Sequence, residues 1–322
     1  MREAGADPSD GSDGNSPAAA QAFASGKVIL FGEHAVVHGY PAIAAPLEKG
    51  VSARVLPNGT GTVSIHAQGE TGPILPLAAE RCVRGFGIGG AEVSFDGDLP
   101  RSVGLGSSAA LSVALVRACA LAAGRALTET EALRRAMEVE TAFHGRPSGL
   151  DHTVSFTGKM LLFVRGAPYR PLRLPRHLEA VVWVVSPRGA AKERIARIGE
   201  MAREDPDRVE GIFRTIRDLS EGAARDLEKG DYAAVGEAMD HNHACLAALD
   251  LSTPELDEAC RRLRALGAFG AKLTGAGGGG AVVALCPDAA RMAAQLGLPG
   301  DTAFPVRWEP APFAEAAGLK FQ

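Results

Sequence analysis

Aromatic residues are scarce, at 5% of the 322 residues, and the formal net charge is −4. No basic stripe is present to neutralise a phosphate backbone, so nucleic acid is excluded as the expected partner. The five cysteines, Cys82, Cys119, Cys245, Cys260 and Cys286, are scattered, odd in number and without a C-x-x-C pair. That excludes a disulfide framework and points to reduced thiols and a cytoplasmic location. No uninterrupted apolar span of about twenty residues occurs. The nearest, Ala109 to Ala123, is broken by Arg117, and the amino terminus is acidic and polar rather than basic and apolar. Neither a membrane span nor a secretory signal is therefore expected.

Several catalytic signatures are also missing. A P-loop needs G-x-x-x-x-G-K-[ST]. Gly26-Lys27 and Gly158-Lys159 both lack the upstream glycine and the following hydroxyl residue. No nucleophile elbow G-x-S-x-G is found. A dinucleotide-type G-x-G-x-x-A occurs at 104–109, but no ribose-binding acid follows about twenty residues on. His241-x-His243 is unsuited to a metal, since positions i and i+2 of a helix face different ways.

What is present is an ordinary globular composition, 46% hydrophobic and 22% charged, with 39 glycines. Residues 1–20 are Gly, Ser, Asp, Pro and Ala and read as a disordered tail. Apolar runs and period-two alternation predict strands at Val28–Phe31, Ala42–Ala44, Val51–Leu56, Thr62–Ala67 and Val93–Phe95. Helices are predicted from the serines at 107–108 to about Ala123, and from the capping box Thr128-x-x-Glu131 to about Gly145. Further strands are expected at Met160–Val164 and Val181–Val185. From 190 to 266 the texture is that of amphipathic helices, one starting at Thr253-Pro254-Glu255. A strand at Ala281–Leu285 follows. The pattern is α+β, divided at about residue 176 into segments 21–176 and 177–322.

Gly104-Leu105-Gly106-Ser107-Ser108-Ala109 opens a helix. Glycines let an anion approach the backbone, and the first N–H groups of the helix then face it. A tight turn with a serine N-cap is the alternative reading. On the next helix, plotted at about 100° per residue, Ala132, Leu133, Ala136, Met137, Val139 and Phe143 form one arc. Glu140 falls in its middle. A carboxylate aimed at the core needs a partner, either a buried arginine or Mg²⁺. Asp151, in the shaped turn Arg146-Pro147-Ser148-Gly149-Leu150-Asp151, becomes a candidate base beside such a metal carboxylate.

Lys27 enters the apolar strand Val28–Phe31, so it also needs a partner, and Asp151 is the natural one. Glu33, His34 and His38 follow directly. Near the other end, Lys272-Leu273-Thr274-Gly275-Ala276-Gly277-Gly278-Gly279-Gly280 places five glycines in six positions before a buried strand. That suits close backbone packing against something bulky.

Four blocks in this order resemble the GHMP kinases (galactokinase, homoserine kinase, mevalonate kinase, phosphomevalonate kinase). They are G-K-V-I-L-F-G-E-H-A-V-V-H-G at 26–39, G-L-G-S-S-A-A at 104–110, P-S-G-L-D at 147–151 and K-L-T-G-A-G-G-G-G at 272–280. The first and last are most similar to the mevalonate kinase branch. The resemblance implies a two-domain α+β fold, with a ribosomal-protein-S5-like amino-terminal domain and a ferredoxin-like carboxyl-terminal domain. It implies ATP and Mg²⁺ as cofactors, the primary hydroxyl of mevalonate as acceptor, and a homodimer. Gly104 to Ala109, with Gly275, Gly277 and Gly278, would hold the nucleotide, and Ser108 and Glu140 the Mg²⁺. Asp151 would be the base and Lys27 its partner near the transferred group, with Lys27, Glu33 and His34 at the acceptor. Another small-molecule GHMP kinase and a non-catalytic nucleotide-binding regulator are the alternatives. Ser25, Ser102, Arg146 and His152 depart from the pattern, standing where a proline, a glycine and two asparagines are usual.

Overall fold

The computed structural model describes residues 19–67, 74–144, 147–186, 191–300 and 302–310. Of the expected tail, residues 1–18 lie outside these, and Ala20 already begins the first strand.

Strand β1 (Ala20–Phe31) pairs antiparallel with β2 (Ala42–Pro57) across the short 3-10 turn Ala35–His38. The two segments read separately at 42–44 and 51–56 belong to this single strand. Pro46, between them, lies opposite Lys27, whose N–H turns away to bond Leu105 O at 2.9 Å. The proline therefore deprives no strand partner of a bond. Strand β3 (Val63–Ala67), helix α1 (Ile74–Gly85) and strand β4 (Ala91–Gly97) follow, with β3 and β4 parallel. Helix α1 is absent from the expectations, although Leu75, Ala78, Ala79, Cys82 and Val83 are buried at helical spacing.

Next come α2 (Ser107–Ala122), α3 (Glu129–His144), α4 (Leu150–Thr157), β5 (Leu161–Phe163) and β6 (Arg170–Pro171). The first sheet has the order β3-β4-β2-β5-β6, with β1 on the other side of β2. Helix α2 is as buried as its all-round apolar surface predicts. Arg117 lies within it and donates to Phe23 O at 2.9 Å and Phe156 O at 2.5 Å, tying α2 to β1 and to the end of α4.

Strand β7 (Leu178–Ser186) opens the second sheet. Helices α5 (Ala191–Glu204), α6 (Pro206–Lys229), α7 (Tyr232–Ala248) and α8 (Pro254–Ala265) precede β8 (Gly270–Thr274) and β9 (Gly280–Cys286). Helix α9 (Ala289–Leu296) and β10 (Ala303–Trp308) close the described chain. The order β10-β7-β9-β8 is wholly antiparallel. Numbered along the chain it reads 4-1-3-2, the split βαβ arrangement of a ferredoxin-like unit. Val28, Phe31 and Ile43 of the first sheet share one apolar cluster with Leu178, Val182, Val283 and Trp308 of the second. No helix among the described residues is long and apolar enough to cross a membrane.

His243 is buried on α7, whereas His241 is exposed. The His243 ring accepts Leu273 N–H at Nδ1 (3.2 Å) and donates from Nε2 to Asp257 Oδ1 (3.0 Å). That pattern requires the neutral tautomer. Burial lowers its pKa from 6.5, Asp257 opposes the shift, and Lys272 and Arg264 reinforce it. A histidine whose native pKa lies below its unfolded value stabilises fully above the unfolded pKa, and the contribution is lost as pH falls toward the native one. We expect wild-type urea midpoints to fall between about pH 7.5 and about pH 5.5 more steeply than those of His243→Gln. Equal pH dependence in the two proteins would remove His243 from this role.

Candidate active site

The site assembles on the edge of β1 that β2 leaves unused. Register slips between Ser25 and Lys27, and again between Ile29 and Phe31, reorient this strand. Lys27 N–H donates to Leu105 O of the first glycine loop. Two residues on, Ile29 N–H donates to Thr274 Oγ1 (2.9 Å), and Thr274 Oγ1 donates to Ile29 O (3.2 Å). One strand edge thus holds the segment before α2 and the last residue of β8. The glycine loops themselves touch: a Cβ on Gly275, at φ 86°, would lie 2.9 Å from Gly104 Cα.

The N-cap of α2 is Gly106 in the left-handed region, with no side-chain cap. The serine-cap alternative therefore fails, because the N-cap residue has no side chain to bond the N–H groups of the first turn. A side chain at Gly106 is excluded twice, by φ 79° and by Lys27 Cγ at 2.9 Å from its Cβ position. Leu105 and Ala109 are buried, so within this loop they contribute backbone only. Ser102, in place of a usual glycine, takes φ 58°.

Lys27 is 2% exposed, and its Nζ lies 3.1 Å from both Asp151 Oδ2 and Gly104 O. Asp151, at 31% exposure, is the open end of this pair. It sits in the first turn of α4, a helix hidden in the sequence by the turn-like Pro147-Ser148-Gly149. The next residue, His152, points inward and donates from Nδ1 to Glu140 Oε2 at 2.9 Å. The partner of Glu140 among the described residues is thus an imidazole rather than an arginine, and Arg146 lies outside those residues. An oxygen-only pair of the kind Ser108 and Glu140 offer suits Mg²⁺, which keeps waters and takes its remaining ligands from phosphates. Among the described residues no group of three or more His, Cys, Asp or Glu could hold a metal ion.

Glu33, assigned to the acceptor site by the resemblance, is 1% exposed, with Oε1 on Lys272, which is 0% exposed, and with Oε2 lacking a hydrogen-bond partner among the described residues. Burial pushes the Glu33 carboxyl pKa up and the Lys272 ammonium pKa down, and their mutual contact opposes both shifts. His34 stands over them at φ 61° and donates from Nε2 to Ala276 O at 3.0 Å, reaching the second glycine loop. Of the three glycines assigned to the nucleotide there, Gly275 meets Gly104 of the first loop. Gly277 packs on Leu251, and Gly278 lies under the Arg194 guanidinium, which itself donates to Asp250 O at 2.9 Å.

The model of the GHMP kinases N terminal domain matches residues 74–159, and that of the GHMP kinases C terminal matches residues 223–299. The mevalonate kinase of Pyrococcus horikoshii is 34% identical over 84% of this chain and 89% of its own length. The chain belongs to the GHMP kinases, in their mevalonate kinase branch. The mevalonate kinase of Methanothermobacter thermautotrophicus is 33% identical over 83% of this GHMP kinase and 90% of itself. The L. major mevalonate kinase in complex with R-mevalonate superposes with a TM-score of 0.82 at 26% identity, covering 90% of this chain and 96% of that one. The Lactococcus lactis galactokinase complexed with galactose, at 18% identity, shares the fold with a TM-score of 0.72, covering 92% of this chain and 95% of that one.

This GHMP kinase also places residues at the site that its sequence did not single out. Lys272 interrupts the apolar strand β8 as Lys27 interrupts β1, so the same argument would have found it. Thr274 stood in the last block without an assigned role, because a threonine in a strand is ordinary. Removing one partner of a buried ion pair costs about 3–5 kcal/mol, while replacing both by apolar residues is often neutral. Lys272→Met is therefore expected to lose about that much stability in guanidinium unfolding. The double variant Glu33→Met, Lys272→Met should recover most of it. Additive losses would show that the pair is not energetically coupled.

Proposed function

We propose that this GHMP kinase transfers the γ-phosphoryl group of ATP to the primary hydroxyl of mevalonate, giving 5-phosphomevalonate and ADP. The observation that carries this reading is the Lys27–Asp151 pair, held at the mouth of the uncapped α2 helix. Phosphoryl transfer asks chiefly for positioning and for stabilisation of charge on the transferred group. The N–H groups of Gly106, Ser107 and Ser108 bind phosphate oxygens, and the helix dipole favours their charge. Gly104 and Gly275 keep both loops free of side chains where they meet. Ser108 and Glu140 would hold Mg²⁺, which would supply positive charge against the phosphates.

Asp151 is open to the acceptor on one side and fixed by Lys27 on the other. Its carboxylate accepts the proton of the attacking hydroxyl. Lys27, anchored also by Gly104 O, keeps one cation at the junction of acceptor and phosphate. His34 borders the acceptor between the turn after β1 and Ala276, while Glu33 and Lys272 support that wall from beneath. The mevalonate assignment is supported by the identity to mevalonate kinases over most of the chain, and by the superposition on a relative that holds R-mevalonate.

Release of ADP, followed with mevalonate, phosphomevalonate, homoserine and galactose as separate acceptors, tests the reading. Turnover is expected with mevalonate, and turnover only with another acceptor would overturn it. Asp151→Asn should keep ATP binding and lose about 10²- to 10⁴-fold in kcat, the usual contribution of a general base. Near-normal turnover in that variant would take Asp151 out of catalysis.

A further inference from the structure

Glu140 lies on the buried arc of α3, and a carboxylate there bears a desolvation cost that must be met locally. The group that meets it is the ring of His152, one residue beyond Asp151 in the first turn of α4. Both side chains are nearly inaccessible, at 3% for His152 and 5% for Glu140. An ionised carboxylate only accepts, so Nδ1 carries the hydrogen of this 2.9 Å bond. The bond occupies Oε2 and leaves Oε1 outside it.

We propose that His152 is a positioning residue for the metal carboxylate, holding Glu140 in the orientation that ligates Mg²⁺. The inference rests on the assignment of Glu140 to the metal made above. Its physical basis is general: a ligating carboxylate is itself hydrogen-bonded, and that bond fixes its orientation and basicity. The placement adds a consequence peculiar to this chain. Consecutive residues of one helical turn serve the two halves of the site, Asp151 reaching Lys27 and His152 reaching Glu140. Helix α4 therefore sets the base and the metal carboxylate relative to each other. Its own position is secured at the far end by Arg117, which donates to Phe156 O and stacks 4.7 Å from the Phe156 ring centroid.

The test compares side chains of similar size that differ in the donor. Asparagine places an amide nitrogen about where the imidazole Nδ1 lies, and leucine matches asparagine in shape without the N–H. Binding of Mn²⁺ to the full-length protein saturated with the β,γ-imido analogue of ATP is read by loss of the free Mn²⁺ paramagnetic resonance signal. His152→Leu should weaken Mn²⁺ binding by about 10- to 100-fold, the usual loss when such a supporting group is removed. His152→Asn should stay within about threefold of wild type, because the donor is retained. If His152→Leu does not fold, His152→Gln takes its place. Its amide sits one methylene too far out, and the same loss is expected. Wild-type affinity in His152→Leu or His152→Gln overturns the proposal, and so does equal weakening in His152→Asn. Glu140→Gln separates this failure from failure of the reading beneath it. Unchanged Mn²⁺ affinity in Glu140→Gln means that Glu140 is not a ligand, and the role of His152 falls with it. Weakened binding there, with no effect at His152, sinks the positioning role alone.

Discussion

Lys27 and Ile29 present their backbone N–H groups on the side of β1 that β2 does not use, and the active site hangs on those two groups. Leu105 O takes the first and Thr274 Oγ1 the second. Residues two apart on a strand face the same way, so the two loops are drawn to neighbouring points on one edge. An orphaned N–H at that depth would carry a cost comparable to a lost hydrogen bond. Satisfying these two donors therefore brings the phosphate-binding loop, the second glycine loop and the Lys27 side chain into one place. The contact of Gly275 with Gly104 follows from this geometry. A β-carbon at that point would hold the loops apart.

The charges of the site are arranged by depth. Glu33 and Lys272 are fully enclosed and paired with each other, the element that joins the first block of the chain to the second sheet. Lys27 is enclosed but shared between Asp151 and Gly104 O. Asp151 alone keeps substantial exposure, which is what a group that must meet an acceptor hydroxyl requires. Glu140 is enclosed on the other flank with His152. Low dielectric strengthens each of these contacts and raises the cost of leaving any member unpaired. The same burial that makes the constellation costly makes it rigid, and phosphoryl transfer depends on rigid placement of charge.

Much of this was legible in the chain. Glycine spacing before an apolar helix predicted a loop free of side chains ahead of α2, and Gly106 is the left-handed N-cap of that helix. The plot of α3 placed Glu140 on the core face, because a 3.6-residue period assigns faces without knowledge of neighbours. A lysine at the start of an apolar strand implied a carboxylate partner. Other features were hidden. Helix α4 is eight residues long and follows Pro147-Ser148-Gly149, so local signals read it as a turn. Helix α1 had visible periodicity at Leu75, Ala78, Ala79, Cys82 and Val83 that the strand-rich reading of this region passed over.

The sequence by itself determined the chemistry available: a glycine loop opening a helix, a lysine and an aspartate that need each other, and a carboxylate forced into the core. Each follows from a local rule of backbone freedom, helical period or desolvation. Tertiary structure alone decided which charge meets which. Glu33 is joined to Lys272 across 239 residues of sequence. Glu140 meets an imidazole, and Thr274 closes the edge of β1. Local rules state that a buried group must find a partner. Only the packing of two sheets and their helices around one core fixes which partner lies within bonding distance.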